Sequence, residues 1–267
     1  MRTLYISHSY VCIRNFLAIL ALLGLAGCAG TDGQGEANAG DPATTEQGWD
    51  SQDGNPTHAT HSYLTEFAAD QLKAYYPELV TYRASLVDGA NREIHDLPLS
   101  DPEQEALRIE VGGNNAGCDH PEKMWAHVQT AYQAGNKSKA FWYLGILLHY
   151  VEDIGVPAHA MHVYHQSSPS DWDHFEVMAL QRWYPSYSSI DRTDPYFAAP
   201  SDYVAFNQSW TVSDWHATFP GVTYTRTYYS MSWWWASSRE KTYMRNRQGR
   251  TAMATKWALA SALRAMQ

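Results

Sequence analysis

The chain is short of the features that most simply explain how a protein is held together or what it binds. It has three cysteines, Cys12, Cys28 and Cys118. The first two fall in a leader segment, so the body of the protein has one thiol and no internal disulfide. Cations are scarce: 19 Lys plus Arg stand against 28 Asp plus Glu, a formal net charge of −9. No basic cluster is long enough to track a nucleic-acid backbone, which excludes tight duplex binding. No stretch alternates apolar and polar residues for long, and β-branched residues are too scattered to build a sheet. What is present is a chain of 267 residues, 45% apolar and 18% charged. That is enough for one sizeable core and too apolar for a disordered chain.

Residues 1–28 contain no acidic residue, carry Arg2 and Arg14, and run unbroken through apolar or small residues from Phe16 to Gly27. This is the layout of an export signal, and the run is too short to span a bilayer stably. It ends Leu25-Ala26-Gly27-Cys28, which resembles a bacterial lipoprotein box whose Cys becomes the lipidated N-terminus. The expected location is therefore outside the cytoplasm, lipid-anchored to the bacterial envelope or secreted after processing. Residues 29–48 lack aromatic and β-branched apolar residues and read as a flexible tether or pro-segment. The folded domain is expected to span 49–267.

Within it the periodicity is helical. Leu64, Phe67, Ala68, Leu72 and Tyr75 recur at spacings of three and four between Thr57 and Tyr76, with Pro77 as a stop. Further helices are predicted over Glu78 to Val87, Pro121 to Gln133, Lys137 to Ile154, Asp173 to Trp183 and Thr251 to Met266. The fold class predicted is all-α, a single bundle of about seven to nine helices with the metal site between them.

The most informative stretch runs from Tyr143 to His159. His149 and Asp153 are four apart and share a helix face. Pro157 ends that helix, and the chain beyond it can turn His159 back toward the same place. Two imidazoles and a carboxylate converging on one pocket form a ligand set for zinc. Twelve histidines in a domain without disulfides favour metal as the staple.

These residues carry a resemblance. The segment Gly135-Asn-x-x-x-Ala-x-x-Tyr143-Leu-Gly, followed by His149-Tyr-x-x-Asp153-Ile-x-x-Pro157-x-His159, resembles the core signature of the zinc-dependent phospholipase C family. That family comprises the bacterial phosphatidylcholine phospholipases and the clostridial alpha-toxin catalytic domains, with S1/P1 nucleases as distant relatives. A second match opens the domain at Trp49-Asp50 and Gly54-Asn-Pro-Thr-His58-Ala. The resemblance implies up to three Zn2+ ions. Trp49, through its free amine and carbonyl, His58 and the bridging Asp153 would build one site; Asp96, His120, His149 and Asp153 a second, with Glu93 as rival for Asp96. A third would use His159, a further His and Glu176, with His174 as that His and Asp173 as rival. A free Trp49 amine requires a cut before it, whereas lipidation at Cys28 leaves Trp49 internal. Either 29–48 is a pro-peptide or the first site is incomplete.

The implied reaction is hydrolysis of a phosphatidylcholine-type phospholipid at a membrane surface to diacylglycerol and a phosphorylated headgroup. Asp96 would be general base, Asp153 the shared anionic bridge, and the protein a monomer. The alternatives are an S1/P1-type single-strand nuclease and a metal-stabilised surface lipoprotein without activity. Other residues take plainer readings. His61 is read as a helix-surface residue one turn after His58, and Glu152 as an exposed helical Glu. From Trp183 to Trp235, both included, lie sixteen Phe, Tyr and Trp residues. Most are expected to pack in the bundle, and a few to touch a lipid headgroup region.

Overall fold

The computed structural model describes residues 60–92, 102–111, 120–163, 172–180 and 194–267, all within one compact unit, Ala43–Gln267. Among them are ten helices and no strand, so the chain is all-α. They are α1 Thr60–Leu72, α2 Glu78–Thr81, α3 Arg83–Ala90, α4 Pro102–Val111, α5 His120–Gln133, α6 Lys137–Asp153, α7 Pro157–Ala160, α8 His174–Leu180, α9 Asp202–Thr218 and α10 Ser238–Ala265. The predicted segment from Glu78 divides at Tyr82 into α2 and α3. The ten described helices exceed the predicted seven to nine: α4, α7 and α9 were not predicted, and α10 begins thirteen residues before the predicted Thr251. None of the described helices is long and apolar enough to cross a membrane.

Helix α6 is the axis of the bundle. The Asn136 side chain caps it by accepting from the Lys139 N–H at 3.2 Å. Its residues from Phe141 to Glu152 are buried on nearly every side, as expected of a helix that is apolar all round. It packs against α1, α3, α5, α9 and α10. The crossing with α3 depends on two glycines. A Cβ on Gly89 would lie 2.0 Å from the Trp142 carbonyl oxygen, and one on Gly145 2.2 Å from that of Leu86. Only hydrogen at both positions lets the backbones approach this closely.

The C-terminal end of α6 is held by side chains from α9 and α10. Asn207 donates to the Val151 carbonyl and Thr211 to that of Ile154, each at 2.8 Å. Fully buried Arg247 donates to the Gly155 carbonyl, to Asn207 Oδ1 and to Asp214 Oδ2. Helix ends leave carbonyls without partners inside the helix, and satisfying these fixes the turn that carries Asp153. Helix α10 opens with a reciprocal capping box between Ser237 and Glu240, the reason it starts where it does.

Candidate metal centre

His61 enters from the first turn of α1, on the inward stripe it shares with Leu64, Thr65, Ala68 and Leu72. His149 and Asp153 enter from the last turns of α6. Each of the three offers a ligand atom within 4.8 Å of the others, and no other such group of three occurs among the described residues. The imidazole rings stack with centroids 4.1 Å apart. His149 Nε2 lies 3.1 Å from Asp153 Oδ2, and His61 Nε2 lies 3.4 Å from Asp153 Oδ1.

The far side of each ring is engaged. His149 Nδ1 lies 2.9 Å from the Ala90 carbonyl oxygen. A carbonyl only accepts, so Nδ1 carries a proton, and in its neutral form the ring points its Nε2 lone pair at Asp153. His61 Nδ1 shares a 2.7 Å hydrogen bond with Glu152 Oε2, while Thr65 donates to Glu152 Oε1 at 2.8 Å. With Glu152 ionised, His61 too presents a lone pair at Nε2, a buried atom without a hydrogen-bond partner. Two imidazole lone pairs facing one carboxylate repel unless a proton or a cation lies between them. A carboxylate or carbonyl behind each ring is the usual support of metal-binding histidines. The residues therefore fit a divalent cation, and two nitrogens with one oxygen suit zinc and other first-row ions alike.

The electrostatics agree. Burial pushes the Asp153 carboxyl up, but the imidazoles of His149 and His159 outweigh it and hold the group well below the usual carboxylate range. Burial and the stacked His149 lower the affinity of His61 for a proton, yet the carboxylates of Asp153 and Glu152 leave it raised overall. Burial lifts Glu152 above its ordinary value against the pull of His61. Without a cation the pocket is a place that retains protons.

Two readings are corrected. His61 is not at the helix surface but wholly buried, and Glu152 is not an exposed helical Glu but wholly buried behind it. Of the other predicted ligands, Trp49, His58, Asp96 and its rival Glu93 lie outside the described residues. His120 stands at the start of α5 and is not a member of the three-residue group.

His159, on α7, meets Glu176 of α8, with Nε2 3.2 Å from Oε1. The charge of its imidazole bears on Asp153, but neither His159 nor Glu176 is a member of the three-residue group, in which His61 takes the place expected of His159. His174 is not a member of the three-residue group; its Nδ1 donates to the Tyr229 carbonyl at 2.8 Å. Asp173 is also committed elsewhere, because its Oδ1 accepts from the N–H groups of Phe175 and Glu176 and its Oδ2 from the Tyr224 hydroxyl. It caps α8, a role that Asp followed three residues later by Glu could have revealed.

No protein-family signature, no curated protein and no solved structure matches the chain. The helical fold and this group of side chains are therefore what define it.

Proposed function

We propose that the chain is a metal-dependent phosphodiesterase acting on phospholipids of the phosphatidylcholine type, with zinc as its cation. The observation that carries the reading is the His61, His149 and Asp153 group, to which the His159 and Glu176 pair adds a further imidazole and carboxylate. A divalent cation held there would lower the pKa of a bound water toward ~7 and offset charge on a phosphodiester.

The side chains do the rest. Asp153 offers one oxygen to each imidazole and serves as the shared anionic ligand. The Ala90 carbonyl and Glu152 fix the orientation of the two rings. His159 and Glu176 supply a second imidazole and carboxylate pair for a further cation or for the leaving headgroup. Asp96 remains the proposed general base, and Trp49, His58 and His120 the further ligands. The chain would act as a monomer, exported by its leader and anchored or released at the envelope.

The test is direct. Zinc-loaded chain is incubated with phosphatidylcholine vesicles and, separately, with single-stranded DNA. Diacylglycerol and phosphocholine are the expected products. 5′-nucleotides would assign the chain to the nuclease reading, and a zinc-loaded chain that releases neither would be the inactive lipoprotein.

A further inference from the structure

The chain is acidic as a whole but not at its C-terminal end. Residues 216–267 carry eight Lys and Arg and a single acidic residue, Glu240, whereas residues 1–215 carry eleven against twenty-seven. Of the eight, Arg247 and Arg250 pair with Asp214 and Arg264 with Asp194; the others are Arg226, Arg239, Lys241, Arg245 and Lys256. The turn between α9 and α10 lies in this cationic stretch and holds Trp234 and Trp235, which are 72% and 85% exposed, with Met231 exposed beside them. Lys241 places its ammonium 5.5 Å from the Trp233 ring centroid. Arg239 is exposed four residues after Trp235.

This exposure is built, not slack. The N–H groups of Trp235 and Ala236 both donate to the Ser232 carbonyl at 3.1 Å. Glu240 ties the turn to α10, its Oε1 accepting from the Ser230 N–H at 3.3 Å and its Oε2 from that of Ser237 at 2.6 Å. Buried Tyr229 and Ala236 anchor either end. The same segment braces the helix of Glu176, since the Arg226 and Tyr229 carbonyls accept from the His174 N–H and Nδ1.

Single exposed apolar residues are ordinary. Two adjacent indoles and a methionine on a pinned turn, flanked by cations, are a different case. An indole is suited to a boundary that is apolar on one side and wet on the other. Lysine and arginine beside it meet an anionic lipid surface. We propose that the turn from Ser230 to Lys241 docks on an anionic lipid surface, with Trp234 and Trp235 entering the interface and Arg239 and Lys241 facing the lipid phosphates. Docking through this turn would operate whatever reaction the His61 group supports.

The test uses the full chain carrying Asp153→Asn, so that turnover does not change the vesicles. These are equal parts phosphatidylcholine and phosphatidylglycerol with brominated acyl chains. Residues 1–28 contain no tryptophan, so quenching of indole fluorescence reads the folded domain even if the leader also binds lipid. The expected result is clear quenching that Trp234→Ser with Trp235→Ser largely removes, with vesicle affinity falling about tenfold. Arg239→Glu with Lys241→Glu should reduce binding to these vesicles and not to pure phosphatidylcholine. Circular dichroism and the melting temperature should stay unchanged in both pairs, because the altered side chains lie at the surface. Unquenched indoles in the parent chain, or equal quenching in the tryptophan pair, would overturn the proposal. So would self-association abolished by the tryptophan pair without lipid quenching, which would give the turn to a second copy.

Discussion

The two halves of the candidate centre are built to different standards. His61, His149 and Asp153 sit on long helices, and each imidazole has its outer nitrogen engaged by a buried acceptor. The carbonyls around Asp153 are taken up by Asn207, Thr211 and Arg247. His159 and Glu176 instead sit on a four-residue and a seven-residue helix. There the rigidity comes mainly from Asp173, which caps α8 and takes the Tyr224 hydroxyl. The first half is a preformed socket, whereas the second depends on short elements that a ligand or substrate can help to order. The half proposed to bind a cation is thus the half in which the fold leaves the side chains least freedom.

Substitutions should separate the halves by size of effect. The largest is expected from Asp153→Asn, which removes the anion shared by both imidazoles. Bound metal, read by atomic emission after dialysis, and turnover should both fall by two orders of magnitude or more, on the order of 100-fold. Gly145→Ala attacks the socket from behind, because the new methyl meets the α3 backbone. Overpacking of this kind costs roughly 1–3 kcal/mol. Thermal melting should fall by several degrees, and metal affinity should fall with it as Ala90 is pushed away from His149.

Smaller effects should follow the supporting groups. Glu152→Gln keeps the shape but withdraws the charge behind His61, and metal affinity should drop about 10- to 100-fold, measured by competition with a chelating dye. An unchanged affinity would mean that Glu152 is only core filling. Glu176→Gln should lower turnover about tenfold while leaving the cation at the His61 group in place. If it strips that cation as well, the two halves are one site and the distinction drawn above is wrong. Chelation of the parent chain should lower its melting temperature. A cation present at 100 times its dissociation constant stabilises by about 2.7 kcal/mol.

Much of the fold was legible in the sequence because the helices that matter most carry clean signals. The Asn136 start and the Gly155-Val156-Pro157 stop bracket α6 in the chain itself. Helix α9 was not legible: its buried stripe of Tyr203, Val204, Asn207, Thr211 and Trp215 contains two polar residues, so apolar periodicity gave no peak. The site was half legible. His149 and Asp153 follow from spacing four on one helix. His61 was misread because its neighbour His58 drew the assignment. The available signal was its position three residues before Leu64, on the same face as Ala68 and Leu72. Glu152 could have been placed by noting that α6 has no polar face to hold it in solvent. The join of His61 to α6 rests on the packing of α1, which no local pattern contains.

The central claim is that His61, and not a surface histidine, completes a cation site with His149 and Asp153. Metal content of the dialysed, zinc-loaded His61→Ala chain, compared with the parent chain by atomic emission, tests it most directly. The account predicts the loss of about one ion per chain, with the helical circular dichroism retained. A variant that keeps the parent's full complement of metal would contradict it.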